Sequence, residues 1–257
     1  MRTPEERCRQ EITRWFSPGG VHAFVGAGGK STAVKTAARI LGNSGARVRM
    51  TTTTRVGIEE FSGFTVRMCN TRNELLAALA DREPVLLVVA GTTEDGAKYR
   101  GLSAGLLECL PLAPDMVVLV EADGSRRLPM KVPRDGEPVI PADSSTVCAL
   151  MGASAFGEPV DEEHCYNHEG ARSLLSPRGV PEYRFGPDEI AFLAGSRDAC
   201  RKGVLPGVHY RVLVNQADLV DKRPIAREAV RGMSERFRLE AHLASLLKGE
   251  LYDVRSP

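Results

Sequence analysis

Hydrophobic and polar positions alternate between two rhythms along this chain. Val21–Val25, Pro84–Ala90 and Asp115–Val120 are nearly unbroken apolar runs of strand length, the pattern of strands buried on both faces. Ala46–Met50, Phe64–Met68, Thr146–Met151 and Val208–Val214 are further strand candidates, with a short one near Ala244–Leu247. Between them, apolar residues recur at helical spacing. Ile12, Trp15 and Phe16 do so in Glu5–Phe16, and Val34, Ala37, Ala38 and Leu41 do so in Lys30–Leu41, which Gly42-Asn43 stops. Helices are also predicted over Asn73–Ala80, Leu102–Leu110, His168–Leu175, Pro187–Lys202 and Pro224–Phe237. Strands alternating with helices predict an α/β fold, a doubly wound and mostly parallel sheet. The rhythm lapses twice. Lys131–Pro141 carries prolines and a glycine and predicts a surface excursion, and Gly152–Pro187, rich in Gly, Pro and charge, predicts an irregular, mobile insertion or lid.

Composition narrows the function classes. The 257 residues carry a net charge of +1 and 42% hydrophobic residues, enough for one large α/β domain. With no bulk field to recruit nucleic acid or an anionic membrane, small molecules and protein partners are expected. No apolar run nears the ~18 residues of a membrane span, and Met1-Arg2-Thr3-Pro4 leads into no apolar segment, so a cytoplasmic location is expected. Cys8, Cys69, Cys109, Cys148, Cys165 and Cys200 are scattered with no Cys-x-x-Cys, which excludes a zinc ribbon and gives no disulfide framework.

The chemistry centres on Gly26-Ala27-Gly28-Gly29-Lys30-Ser31-Thr32, a glycine turn between the first strand and a helix. Such a turn aims backbone N–H groups at a phosphate, the helix adds its positive end, Lys30 supplies a charge and Ser31 an oxygen for Mg²⁺. The usual Walker A spacing would place Gly where Phe24 stands, and the shorter loop resembles that of Mur-type ligases. The strand ending at Val120 delivers Glu121-Ala122-Asp123-Gly124, where a carboxylate is expected to hold Mg²⁺ or orient water. Glu121 and Asp123 are thus the candidate catalytic acids beside Lys30, and Gly124 is a candidate backbone contact to the terminal phosphate. After the late strand comes Asn215-Gln216-Ala217-Asp218, one substitution from a guanine-reading Asn-Lys-x-Asp. Asp218 would accept from the two adjacent donors of guanine and Asn215 would meet the opposite edge. Gln216 in place of Lys leaves GTP favoured over ATP without excluding ATP. Thr53, Thr54, Arg126 and Lys131 are candidates for binding an acceptor. His164-Cys165-x-x-His168 would bring two imidazoles beside a thiol, a soft-metal set, yet no second cluster completes four ligands and a polar loop is the reading adopted.

Together the glycine loop, Thr51–Thr54, Glu121-Ala-Asp-Gly-Ser with Pro129 and Lys131, Glu137-Pro-Val-Ile-Pro141 and Asn215-Gln-Ala-Asp218 resemble the YqeC family, over Val21 to Asp221. The resemblance implies an accessory or maturation protein of the selenium-dependent molybdenum hydroxylase system, with a molybdoenzyme or its maturation factors as partner. A more distant similarity to metallochaperone GTPases of the CobW, HypB and UreG kind would map their Walker B glutamate onto Glu121 and their phosphate-sensing glycine onto Gly124. The combined expectation is one P-loop NTPase-like domain over 1–257, with a nucleotide-binding half at 20–151, an insertion at 152–187 and a base-recognition half at 188–257. Mg²⁺ with GTP or ATP is the expected cofactor. Two alternatives stay open: an ATP-dependent ligase or kinase acting on a small molecule, and a binding module switched by nucleotide without turnover.

Overall fold

The computed structural model describes residues 2–108, 113–178 and 183–253. Nine strands form its main sheet. In chain order they are β1 Gly20–Gly26, β2 Arg47–Thr52, β3 Thr65–Met68, β4 Val85–Val89, β5 Met116–Glu121, β6 Ser144–Gly152, β7 His209–Asn215, β8 Glu240–Ser245 and β9 Glu250–Tyr252. In space the order is β9, β8, β7, β6, β1, β5, β2, β4, β3, and every neighbouring pair is parallel except β8 with β9. The sheet therefore grows from β1 in two directions, β2–β5 on one side and β6–β9 on the other. A crevice opens at the carboxyl ends of the strands where the winding reverses, and the glycine loop that leaves β1 sits there.

Helices cover both faces. α1 (Pro4–Trp15) is started by a capping box of Thr3 and Glu6, with Pro4 in the first turn. It packs Cys8, Ile12 and Trp15 beside Ala33, Val34, Ala37 and Leu41 of α2 (Lys30–Asn43), over Phe24, Met50 and Leu119 of the sheet. On the opposite face α3 (Arg72–Ala80) covers Leu86, Val88, Val118 and Val120, while α5 (Pro187–Gly195) and α6 (Arg223–Phe237) cover Ala23, Val25, Val147, Ala149 and Val212. Phe24 and its neighbours Ala23 and Val25 alternate between the two cores, which is why the β1 run is apolar throughout. This is a doubly wound α/β fold of the P-loop NTPase-like kind.

Several expectations shift. The short strand Thr146–Met151 is a nine-residue strand in the middle of the sheet, directly beside β1. Pro187–Lys202 stops as a helix at Gly195, where Ser196 N–H caps back to the Phe192 carbonyl. Leu246 and Leu247 are not strand but the turn joining β8 to β9. Leu102–Leu110 contains a helix only at Ala104–Leu107, and its last two residues, Cys109 included, lie outside the described residues. The stretch 152–187 is packed in its described part. Ala153, Ala155, Phe156, Val160, Cys165, Phe185 and, from α4 (His168–Leu175), Ala171 and Leu175 are all buried in the core that includes α5 and α6. Each large side chain in that set contributes ~1.5–3 kcal/mol by burial, so polar and proline-rich composition hid a substantial core contribution. Two small sheets were also unforeseen. One pairs Met130–Lys131 with Cys165–Tyr166, and the other joins Arg55–Gly57, Gly91–Thr92 and Lys98–Arg100 beside the crevice.

Candidate functional site

The loop after β1 depends on glycine, most tightly at Gly26 and Gly28, where backbone stands in the way of a side chain. Gly26 and Gly28 have φ of +89° and +75°, and a Cβ on them would lie 2.4 Å from the Leu150 carbonyl oxygen and 2.2 Å from the Gly152 nitrogen. The loop is thus pressed against β6, and its early amides are used internally. Gly26 N–H donates to Asp123 Oδ2 (3.1 Å), Ala27 N–H to the Leu150 carbonyl (2.9 Å) and Gly28 N–H to the Leu128 carbonyl (3.2 Å). By contrast α2 opens with Gly29 as its N-cap and no side-chain cap, so its first-turn amides are left for an anion. Of the seven loop residues expected to bind phosphate, the geometry favours Gly29, Lys30, Ser31 and Thr32, while Gly26, Ala27 and Gly28 shape the turn.

Charge at the loop is fixed from behind. Lys30 Nζ donates to the Gly26 carbonyl at 2.6 Å and lies 3.2 Å from Asp123 Oδ1, with its side chain 3% exposed. Asp123 is fully buried and also faces Lys131 Nζ at 3.3 Å; Lys131, equally buried, reaches Glu137 Oε2 at 2.9 Å and the Gly124 carbonyl. Neither Asp123 nor Lys131 lines the cavity in front of the loop. The sequence assigned Asp123 to catalysis and Lys131 to an acceptor; in the fold they form a buried network that positions Lys30, because every charged atom of theirs is directed into protein.

Glu121 is different. It ends β5 beside β1, lines the cavity, and accepts from Ser31 Oγ at 2.9 Å. Burial pushes its carboxyl above the ordinary range, against the pull of Lys30 and the Ser31 hydroxyl. Two hard oxygens side by side next to an uncapped helix start suit a small, oxygen-seeking divalent cation. Thr53, Thr54, Gly124 and Arg126 also line this cavity, of about 1480 Å³. Thr53 Oγ1 is buried with no hydrogen-bond partner, and Thr52 Oγ1 instead donates to the Glu121 carbonyl at 3.0 Å, tying β2 to β5. Arg126 and Arg127 have φ of +52° and +64°, a left-handed pair without glycine. Arg127 pairs with Glu60 at 3.0 Å, and the Arg126 guanidinium lies 5.6 Å from the centre of the Tyr166 ring.

Beyond β6 the cavity reaches Asn215, Gln216, Asp218, Leu219 and Leu247. Both ends of the Asn215 amide are engaged: Nδ2 donates to the Gly28 carbonyl at 2.8 Å and Oδ1 accepts from Leu246 N–H at 2.9 Å. Asn215 therefore ties three segments together instead of presenting an edge of its own to a ligand. Gln216 accepts from Ser154 N–H at 3.0 Å. Asp218 keeps one oxygen on Ser245 Oγ, at 2.9 Å, and is the carboxylate at this end of the cavity. Ser245 and the 85% exposed Leu247 were missed because Ala244–Leu247 read as a strand. An exposed leucine just past a strand, next to an Asx-rich turn, was the available signal.

His164 Nδ1 lies 2.7 Å from Asp161 Oδ1, and the Cys165 thiol is buried and pushed up to about 12. Among the described residues, no group of three or more His, Cys, Asp and Glu side chains is arranged to hold a metal ion. Also among them, no helix is long and apolar enough to cross a membrane.

A parallel sheet wound outward from β1, with a glycine loop running into an uncapped helix and a carboxylate ending the adjacent strand, defines a P-loop-type α/β protein. The chain belongs to the YqeC family, whose model, described as YqeC protein, matches residues 22–169. The YqeC protein of Escherichia coli strain K12 is 33% identical over 147 residues, 57% of this chain and 57% of that relative, so the match spans little more than half of the relative's length. Among solved structures, chloroplast FtsY from Physcomitrella patens aligns over 98% of this chain and 71% of its own, at 13% identity and a TM-score of 0.44. HypB from Helicobacter pylori, in complex with nickel, aligns over 96% and 86% respectively, at 11% identity and a TM-score of 0.38. Both likenesses are loose, and the fold assignment stands on the strand order and the loop.

Proposed function

We propose that this protein binds a nucleotide with Mg²⁺ in the cavity and hydrolyses it, as an accessory factor in maturation of a selenium-dependent molybdenum hydroxylase. The observation that carries the chemical part is the 2.9 Å contact between Ser31 and Glu121 at the open start of α2. In this reading residues 20–151 hold the phosphates and 188–257 the base. Uncapped amides of Gly29–Thr32 receive the terminal phosphates, and Lys30 swings from the Gly26 carbonyl onto them. Mg²⁺ held by Ser31 and Glu121 would supply charge neutralisation for the phosphates. Glu121 holds or orients the attacking water, Gly124 offers its backbone N–H, and the Asp123–Lys131 pair keeps Lys30 in reach. The maturation role is supported by family membership. Transfer of the phosphoryl group to a small acceptor is the second reading, favoured by a cavity larger than the ~300–1,000 Å³ of a typical single-ligand site.

The base preference tests the assignment. Asp218, with one oxygen free of Ser245, is expected to favour guanine, and GTP should compete out ATP. Asp218→Asn replaces an acceptor by a donor, so it should weaken GTP by about ten-fold or more, the worth of a charge-assisted hydrogen bond at ~1.5–3 kcal/mol, and shift preference toward XTP. The measurement is competitive binding of GTP, ATP and XTP, paired with phosphate release with and without candidate acceptors. ATP binding best to the parent, or one preference order for both proteins, would remove the base-reading role of Asp218 and move the ligase or kinase reading ahead.

A further inference from the structure

The small sheet beside the crevice carries an arrangement that the nucleotide site does not explain. Arg55 and Arg100 are directly opposed in its antiparallel pairing, and Lys98, two residues before Arg100, is opposed by Gly57. Side chains directly opposite one another share a face, as do those two apart in a strand, so Arg55, Lys98 and Arg100 stand together. All three line the same cavity as the glycine loop. The other face of this sheet is apolar, with Val56 buried and Tyr99 packed on the core that includes Phe24.

Like charges directly opposed across two strands are destabilising unless something stands between them. Among the described residues, no carboxylate forms an ion pair with Arg55, Lys98, Arg100 or the neighbouring Arg126. The acids nearby are committed: Glu60 to Arg127, Glu137 to Lys131, Glu121 to Ser31, and Asp95 to Thr93 Oγ1 and Ala97 N–H. Gly57 and Gly91 are the cross-strand partners of Lys98 and Arg100; a Cβ on Gly91 would come within 3.0 Å of Arg100 Nη2, so the Arg100 guanidinium lies over Gly91, and a Cβ on Gly57 would come within 3.2 Å of Glu60 Oε1. The face is anchored to the phosphate end of the cavity, since Gly101 N–H donates to the Thr54 carbonyl and Thr53 N–H to that of Glu121. Asp218 lies on the other side of β1, beyond β6 and β7.

We infer that Arg55, Lys98 and Arg100, with Arg126 at the edge, form a second anion site that takes a phosphate or pyrophosphate group of a small molecule, opposite the nucleotide's terminal phosphate. Paired guanidinium forks match phosphate oxygens two at a time, and Lys98 adds a point charge. A phosphorylated small molecule fits better than a nucleic acid backbone, because the cationic face, though its side chains are exposed, lines one open cavity with the glycine loop and the whole chain has a net charge of only +1. The inference rests on the nucleotide reading for its partner ligand, but the site can be measured without it.

Calorimetric titration with inorganic pyrophosphate in excess Mg²⁺ is run on three proteins: the parent saturated with a non-hydrolysable GTP analogue, the Lys30→Ala variant without nucleotide, and the Arg55→Ala/Arg100→Ala double variant saturated with the analogue. One equivalent is expected to bind to the first two, and affinity in the double variant should fall by about ten-fold or more with its nucleotide affinity unchanged. No binding to either of the first two, or equal binding to the double variant, would overturn the second site. Loss of nucleotide affinity in the double variant would overturn it too, by giving these arginines to the nucleotide itself. Failure of the nucleotide reading would show separately, as absent binding of the analogue to the parent, while pyrophosphate still bound to Lys30→Ala.

Discussion

Asp123→Ala is expected to be the most destabilising single substitution at the site, by about 3–5 kcal/mol, because it takes from the buried Lys30 ammonium the carboxylate paired with it and leaves Lys131 with Glu137 alone. The side chains of Lys30, Asp123 and Lys131 are 3%, 0% and 0% exposed. Removing one partner of such a set exposes the full desolvation cost of the others, which geometry alone would not reveal. Arg47 and Asp115 make a shorter pair, at 2.6 Å, yet Asp115 is 59% exposed, and Asp115→Ala should cost only ~0–1 kcal/mol. Asp123 also accepts the Gly26 amide at 3.1 Å, so its loss loosens the glycine turn as well as Lys30. Urea unfolding of the parent, Asp123→Ala and Asp115→Ala measures the contrast. Equal small losses for both would mean that the buried network is not what holds the loop.

Glu121→Gln should move stability and activity in opposite directions. Burial raises the Glu121 pKa above its value in the unfolded chain. A carboxyl raised in this way favours the folded state at pH below the unfolded value and withdraws that support as pH rises through the folded value. The ligand-free parent should therefore lose stability relative to Glu121→Gln as pH climbs from the acid range toward neutrality, and the variant should melt at the higher temperature at pH 7. Its phosphate release should drop by ~10²-fold or more, since a neutral amide neither holds a cation well nor accepts a proton. Melting temperature across pH and turnover at pH 7 are the two readouts. A variant less stable than the parent at pH 7, with turnover intact, would contradict both the electrostatic and the chemical assignment.

Much of the fold was legible in the sequence because its strands are buried on both faces. Val21–Val25 and Pro84–Ala90 can hardly be read otherwise, and the loop at Gly26–Thr32 fixed where the crevice should open. The 152–187 stretch was not legible, since Phe156, Val160 and Phe185 reach the core from separate turns with no periodicity to betray them. Among the candidate site residues, those at strand ends, Glu121 and Asp218, lie on the cavity as their position implied. Asp123 and Lys131 carried the right chemistry in the wrong compartment. Spacing of two or ten residues from Glu121 says nothing about which carboxylate faces solvent once Asp123 Oδ2 has taken the Gly26 amide. The basic face was invisible because it arises from cross-strand pairing of Arg55 with Arg100, segments that no local pattern relates.

The central claim, that the turn into α2 is a nucleotide phosphate site, is tested most directly by calorimetric titration of GTP with Mg²⁺ into the parent and Lys30→Ala, with circular dichroism confirming the fold of both. One equivalent should bind to the parent, and the variant should lose about ten-fold or more of that affinity, as expected for a lost charge-assisted contact of ~1.5–3 kcal/mol. Equal affinity in the two proteins, or no binding of any nucleoside triphosphate to the parent, would contradict it.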